Sequence, residues 1–311
     1  MRSYRYLHLD VFTDRPLEGN QLAVFLQTDG LSTDEMQRMT KEMAFSECTF
    51  IFPAEPAGAA GDPPPTDIRM RIFTPGTELP LAGHPTIGST FALAEEGIIE
   101  PGRSEFVFAL RVGPIPVALE WKGSSLHFAW MTQPLPSFGG KVTDRGAFAA
   151  AIGVGAADFA GDLPIEAVSC GLPYLFAPLS TRAAVDRVVI NRPAYVECCR
   201  GAGLEELPLF AFSLEAADPS GSETAYSRML APGFGVAEDP ATGSASGPLG
   251  CYLAEHRVIS RERLGRFVSL QGVAMGRPSR IYISIDQDGA HVRRVRVGGQ
   301  SVLVGGGTLR F

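Results

Sequence analysis

The feature that most constrains this chain is a repetition of its own sequence. The order Arg71-Ile-Phe-Thr-Pro75-Gly76, then Glu78-Leu-Pro80-Leu-Ala-Gly83-His84, then Leu93-Ala94-Glu95 returns as Arg228-Met-Leu-Ala-Pro232-Gly233, Glu238-Asp-Pro240-Ala-Thr-Gly243-Ser244 and Leu253-Ala254-Glu255. The first block recurs after 157 positions and the later blocks after 160, so one three-residue insertion after Pro-Gly reconciles them. A weaker echo pairs the segment at Gly19 with Gly171-Leu-Pro173 and the apolar run Tyr174-Leu175-Phe176. Solenoid repeats run roughly 20–50 residues. The longer offset fits two similar α/β halves joined as a pseudo-dimer, and 311 residues suffice for roughly two domains.

In each half the repeated segment leads into a helix that follows Gly83 or Gly243. Helix N-termini carry unpaired N–H groups and a partial positive charge, and so bind anions. Two such ends facing one cleft, an orientation expected from the symmetry, form a site for a small carboxylate. The surrounding pattern is legible too. Leu7, Leu9 and Val11 alternate as a strand, and Leu22 to Leu26 completes a hairpin. Ser32 and Glu35 form a capping box with Leu31 and Met36 as its staple. Met36, Met39 and Met43 then share a helical face that reads as core. A strand follows at Thr49–Phe52, and Ala54 to Thr66, rich in Ala, Gly and Pro, reads as a flexible surface loop. After a strand at Asp67–Phe73, a short helix is expected from Pro85 to Glu95, with Gly97 as its stop. The crossover between halves falls near Pro134–Pro136.

Composition mainly excludes. A net charge of −7 argues against a nucleic-acid surface. No apolar run is long enough to span a membrane, and the N-terminus has no signal-peptide core, so a cytoplasmic protein is expected. Cys48, Cys170, Cys198, Cys199 and Cys251 show neither disulfide nor zinc spacing. No nucleotide-binding G-x-G-x-x-G unit or P-loop is present, and Gly305-Gly306-Gly307 reads as a loop or strand bend. No cofactor and no metal are expected.

The segments Asp10-Val-Phe-Thr-Asp-Arg-Pro-Leu-Glu-Gly-Asn20, Ser46-Glu47-Cys-Thr-Phe50, Phe73-Thr-Pro through Gly83-His84-Pro85, and Glu238-Asp-Pro-Ala-Thr-Gly-Ser244 resemble, in order, the PhzF family of phenazine-biosynthesis isomerases. The resemblance implies the α+β diaminopimelate-epimerase-like fold, two pseudo-symmetric halves that are each a barrel-like sheet around a central helix. The halves would be residues 1–120 with about 295–311, and 121–294. It further implies a cofactor-free isomerase acting on a small cyclic carboxylate, and a homodimer. Glu47 corresponds to the acid/base that moves the proton, and His84 and Asp239 to the pair that holds and polarises the substrate. Ser244, with the backbone at Gly83 and Gly243, corresponds to a carboxylate cradle, and Asn20 and Gly19 line the cleft.

Each residue has a plainer reading. Glu47 alone reads as an exposed strand-entry acid; the acid/base role needs a raised pKa, which an apolar pocket beside Phe45, Phe50 and Phe52 would supply. His84 and Ser244 read as helix caps, and Asp239 as a turn residue. Related racemases carry cysteines where this chain has Ala82 and Thr242, which argues against a two-thiol epimerisation. Two other functions stay open: a carboxylate binder without turnover, and a tautomerase or lyase using the same Glu47.

Overall fold

The computed structural model describes residues 1–54, 66–215, 225–289 and 291–311, with Arg261 described by its backbone alone. The chain divides into two units, Met1–Thr132 with Gly298–Phe311, and Gln133–Val297. The first contains β1 (Ser3–Val11), β2 (Asn20–Phe25), α1 (Thr33–Met43), β3 (Glu47–Pro53), β4 (Ile68–Phe73), β5 (Glu78–Leu79), α2 (Gly83–Glu95), β6 (Glu105–Leu110), β7 (Gly113–Lys122) and most of β8 (Ser125–Gln133). The second contains β9 (Ser137–Val142), α3 (Arg145–Ala151), β10 (Ile165–Ser169), β11 (Pro173–Pro178), α4 (Arg182–Asp186), α5 (Arg192–Gly201), β12 (Leu209–Ser213), β13 (Ala225–Ala231), β14 (Val236–Asp239), α6 (Gly243–Glu255), α7 (Arg261–Leu264), β15 (Phe267–Gln271) and β16 (Ser279–Asp288). After β17 (His291–Gly299), β18 (Ser301–Arg310) returns to the first unit and pairs antiparallel with β1.

The two units share one pairing scheme. In the first, β1–β2 is antiparallel, β2–β3 parallel, β3–β4 antiparallel, β4–β6 parallel and β6–β7 antiparallel. The second repeats this with β10–β11, β11–β12, β12–β13, β13–β15 and β15–β16. Parallel neighbours require a crossover, and helices fill it. One is α1 before β3, matched by α4 and α5 before β12. The other is α2 before β6, matched by α6 and α7 before β15.

Each long crossover helix is enclosed. Nearly every residue of α2 from Gly83 to Leu93, and every residue of α6 from Gly243 to Leu253, is buried. Neither has a charged residue before its last position, as a helix buried on all sides requires. Strands come close because the helices carry small residues. A Cβ at Gly88 would lie 2.6 Å from Leu22 Cδ2 and 2.7 Å from Val11 Cγ2. The outer sheet face of the first unit packs against α1 through Met36, Met39, Phe25, Phe50 and Phe73. Phe25 and Phe50 stack at 5.0 Å, and Phe73 meets Phe50 edge-on at 5.5 Å.

Most expected elements are present, with informative differences. The Ser32–Glu35 capping box forms, and α1 ends on Ala44 in the left-handed region. The second helix begins at Gly83 rather than Pro85. Pro85 therefore occupies the third helical position, where a first-turn N–H has no intrahelical acceptor to lose. Gly305 to Gly307 are not a loop but part of β18, beside a register shift at His8/Leu9. A Cβ at Gly307 would meet the Tyr6 ring at 2.8–3.0 Å, so glycine lets the strand cross that side chain. The Ala54 to Thr66 loop lies, from residue 55 to 65, outside the described residues.

The repeat also has an energetic counterpart. Arg71 holds Glu78 through two hydrogen bonds of 2.8 and 2.7 Å, and Arg228 holds Glu238 through two of 2.9 and 2.8 Å. These identities recur because each clamps the short strand that delivers the chain to its central helix. Arg228 is the more committed, since its Nη1 also donates to the carbonyls of Val185, Asp186 and Val188. Arg228→Ala is therefore expected to cost about 3–5 kcal/mol, because it strands a largely buried carboxylate and three carbonyls. Arg71→Ala should cost less, about 1–2 kcal/mol, because the Arg71 guanidinium is more exposed and donates to no backbone carbonyl, although Glu78 is as buried as Glu238. Urea unfolding of the two variants checks the ordering, and equal costs would contradict it.

Candidate active site

Three turns of the first unit bring Asn20, Glu47, Gly83 and His84 together. Gly19 has φ +69°, and a Cβ there would lie 2.4 Å from the Val11 carbonyl oxygen. Only glycine lets the β1–β2 turn close this tightly, and Asn20 opens β2 from it, paired with Val11. The left-handed Ala44 ends α1 and turns the chain so that Glu47 begins β3. His84 is the second residue of α2.

The strand period decides what surrounds Glu47. Phe50 and Cys48 point to the α1 side with the Phe25–Phe73 cluster. Glu47 and Thr49 face α2, where Thr49 Oγ1 meets Ser89 Oγ at 2.9 Å. The expected setting of Phe45, Phe50 and Phe52 is thus corrected: at least Phe50 lies on the other face, and the neighbour of Glu47 is a histidine. His84 Nε2 lies 3.4 Å from Glu47 Oε2, with 3% and 15% of the respective side chains exposed. On the other side of the ring, His84 Nδ1 is 3.2 Å from Asn20 Nδ2, and Ser46 Oγ is 3.0 Å from Asn20 Oδ1. Burial pushes the His84 pKa down to about 3, opposed in part by a hydrogen bond with the Gln21 backbone. The imidazole is therefore neutral at ordinary pH. Its 3.4 Å contact with Glu47 is therefore not an ion pair, and it lies outside hydrogen-bond geometry.

In the second unit, Asp239 ends β14 and is buried, three residues before the cap of α6. Thr242 Oγ1 donates to Asp239 Oδ2. Gln271, at the end of β15, donates to the Asp239 carbonyl at 2.7 Å and accepts from the Thr242 backbone N–H at 3.0 Å. Ser244 Oγ is 2.6 Å from Tyr174 Oη, and the Gly243 carbonyl accepts from Gln133 Nε2 at 3.0 Å. Asp239 is thus a buried, fixed acceptor rather than an exposed turn residue. The caps of the helices are Ala82 and Thr242, not His84 or Ser244, and neither makes a side-chain capping bond. A small anion could use the first-turn N–H groups that such caps leave.

The register shows how far the halves have diverged. Cys48 pairs with Ala23 and Phe73, and Leu209 with Leu175 and Leu230 in the equivalent strands. Glu47 therefore corresponds to Pro208, Asn20 to Leu172, and His84 to Ser244. The acid occurs once. Ser46, Tyr174, Gln133 and Gln271 complete the two clusters and were not identified as site residues in the sequence. Only Ser46 carried a signal, its adjacency to Glu47; the others reach their partners from strands distant along the chain. Among the described residues, no group of three or more His, Cys, Asp or Glu is placed to hold a metal ion, and all five cysteines are free. No helix there is long and apolar enough to cross a membrane.

Two halves with one strand scheme around an enclosed helix define the diaminopimelate-epimerase-like fold. A hydroxyproline epimerase from Agrobacterium vitis shares that fold at a TM-score of 0.62 and 11% identity, over 99% of this chain and 92% of that one. Residues 9–307 match the family model of phenazine biosynthesis-like proteins, PhzC-PhzF, and the chain belongs to this family. A PhzF-family phenazine biosynthesis protein from Bacillus anthracis aligns over the whole of both chains with a TM-score of 0.84 and 26% identity. The trans-2,3-dihydro-3-hydroxyanthranilate isomerase of Pseudomonas aeruginosa is 36% identical over 95% of each chain. The protein is an enzyme of the PhzF isomerase type.

The neutral burial of His84 has a thermodynamic consequence. An unfolded histidine protonates near pH 6.5, whereas His84 in the fold resists protonation down to about 3. Between these values the unfolded chain binds more protons. The contribution of His84 is thus intact above about pH 6.5 and lost as pH falls towards 3, by up to about 1.4 kcal/mol per pH unit. His84→Gln is expected to flatten this part of the stability profile, measured as the urea midpoint between pH 4 and 7. A variant that keeps the wild-type slope would show that His84 is not the group responsible.

Proposed function

We propose that this enzyme shifts a proton between two carbons of a small cyclic carboxylate bearing an amino or hydroxyl group, without a cofactor, and that Glu47 is its only proton carrier. The observation that carries this reading is the single acid in a duplicated frame. Glu47 stands against a neutral imidazole, while the equivalent position is Pro208, which has no side chain able to carry a proton. One carboxyl group serves both steps when the donor and acceptor carbons belong to one conjugated system. As carboxylate, Glu47 takes the proton from the first carbon and the electron pair moves into the conjugated system. As carboxylic acid, it returns the proton to the second carbon.

The remaining assignments follow the chemistry of the groups. His84, neutral and with Nε2 3.4 Å from Glu47, holds and polarises a polar group of the substrate beside the acid. Asp239, its carboxylate held by Thr242, accepts from an amino or hydroxyl group of the substrate. Ser244 and the backbone N–H groups at Gly83 and Gly243 receive the substrate carboxylate, and Asn20 completes the polar lining. The Pseudomonas aeruginosa relative, named for trans-2,3-dihydro-3-hydroxyanthranilate, supports a substrate of this shape. Family membership likewise supports a homodimer working in the cytoplasm. No nucleic-acid partner is proposed for a chain of net charge −7.

The test is incubation with unsaturated cyclic amino acids in D2O, followed by NMR. The expected wild-type result is a rearranged product, and Glu47→Gln should lower kcat by at least about 10³-fold, since the amide cannot carry the proton. Turnover by Glu47→Gln at the wild-type rate would remove the proposed role. Tight carboxylate binding with no product from any substrate would favour a binder.

A further inference from the structure

We propose that Gln271 and Thr242 are positioning residues for Asp239, a polar unit present only in the second half, and that they hold this carboxylate in one orientation towards the substrate. The catalytic consequence rests on the reading of Asp239 as an acceptor for the substrate; the structural part stands on four hydrogen bonds. Gln271 Oε1 accepts from the Thr242 backbone N–H at 3.0 Å, and Gln271 Nε2 donates to the Asp239 carbonyl at 2.7 Å. A backbone N–H only donates and a carbonyl only accepts, so these two bonds fix which end of the amide faces which group. Nε2 also donates to Thr242 Oγ1 at 3.0 Å, and Thr242 Oγ1 donates to Asp239 Oδ2. The hydroxyl is thus engaged on both sides, receiving the amide hydrogen and giving its own to the carboxylate. It makes no capping bond to α6, although Thr242 is the cap residue.

The first half builds the same frame without this unit. The clamp acids Glu78 and Glu238 are equivalent, so Asp239 corresponds to Leu79 and Thr242 to Ala82. Ile68 and Ala225 each stand three residues before the clamp arginine, and they pair with Phe108 and Ser269. Gln271 therefore corresponds to Leu110. Leu79, Ala82 and Leu110 have no polar side-chain group, yet α2 starts and β6 pairs as α6 and β15 do. The strand-to-helix geometry does not require the polar set. Asp239, Thr242 and Gln271 are all buried, and burying polar groups costs free energy that the apolar set avoids. What distinguishes the second half is a carboxylate to be held. Gly272, next along the chain, allows the close approach: it has φ +76°, and a Cβ there would lie 2.5 Å from the Pro240 carbonyl oxygen. Its counterpart in the first half is Arg111.

The consequence is order before binding. With Oδ2 held by the Thr242 hydroxyl, and that hydroxyl held by an amide anchored to two backbone groups, the Asp239 side chain is fixed before substrate arrives. An acceptor set in place in advance needs no reorganisation during the proton shift. Loss of the hydroxyl leaves the carboxylate in place chemically but free to turn.

Kinetics with trans-2,3-dihydro-3-hydroxyanthranilate, the compound that names the Pseudomonas aeruginosa relative, and 15N–1H NMR of the Gln271 side-chain amide test this. Thr242→Val should lower kcat/KM about 10- to 100-fold, and Thr242→Ser, which keeps the hydroxyl, should recover it to within about threefold. Gln271→Leu should lower kcat/KM about 10-fold, and the double variant should lose no more than Thr242→Val alone, because both substitutions act through one hydroxyl. In the amide spectrum, Thr242→Val should shift a Gln271 Nε2 proton resonance, and Thr242→Ser should restore it. Unchanged kcat/KM in Thr242→Val, no recovery in Thr242→Ser, or losses that multiply in the double variant overturn the proposal. If Gln271→Leu or Thr242→Val does not fold, Thr242→Ala decides by the same comparison with Thr242→Ser, since alanine already stands at the equivalent Ala82. Failure of the isomerase reading is a separate result, the absence of turnover in the wild type. In that event an unchanged amide spectrum in Thr242→Val still overturns the structural part.

Discussion

Everything in this structure depends on enclosing an uncharged helix inside a curved sheet, twice. A helix buried on all sides can carry almost no polar surface, and α2 and α6 meet this with Gly, Ala, Ser, Thr and a few large apolar residues. Their hydroxyls are satisfied within the helix or by the adjacent strand: Thr86 and Thr90 donate one turn back, and Thr49 meets Ser89. Glycine at positions such as Gly88 lets strands come within contact of the helix. The sheet must pass around the helix, so strands on its two sides run parallel and need the second crossover that α1 and α5 supply. Chemistry follows from the same enclosure. A buried helix has its usable backbone groups at its first turn, and the candidate residues His84 and Ser244 stand there.

Duplication supplied two copies of that frame, and divergence filled them differently. The load on the frame is preserved, as the paired Arg71–Glu78 and Arg228–Glu238 clamps show. The contents are not. His84 corresponds to Ser244, Glu47 to Pro208, Asn20 to Leu172, and Ala82 to Thr242. One half holds an acid, an imidazole and an amide beside the ring. The other holds a carboxylate fixed by a threonine and a glutamine, and a serine fixed by a tyrosine. A symmetric pair of acids would suit removal of a proton from one face and delivery at the other. A single acid suits removal and return by the same group.

Much of this was legible in the sequence because it is written in local terms. The α1 capping box is four residues long, and the methionine stripe repeats at helical spacing. The duplication is visible because Arg, Glu, Gly and Pro at the clamp and helix starts tolerate few replacements. What was misread depended on which way a side chain points across a strand or on contacts distant along the chain. Phe50 was expected to surround Glu47 because it is near in sequence, yet the period of two sends it to the α1 side. The glycine run at 305–307 was read as a loop or strand bend, and it is strand beside a register shift; the Tyr6 side chain it accommodates lies some 300 residues earlier. Gln271 carries no local mark, since its meaning comes from lying beside Asp239 and Thr242.

The neutral state of His84 bears on what a one-carrier mechanism requires. Had the ring been exposed, its pKa near 6.5 would make it a competitor for the proton held by Glu47 at working pH. Burial removes that competition by making the imidazolium costly. The imidazole is thereby reduced to a fixed dipole, able to donate but not to take up charge. A dipole of this kind stabilises the carboxylate without a permanent ion pair, which would hold Glu47 ionised and oppose the protonation on which its return step depends. The 3.4 Å separation of His84 Nε2 and Glu47 Oε2 lies outside hydrogen-bond geometry and adds no such pairing.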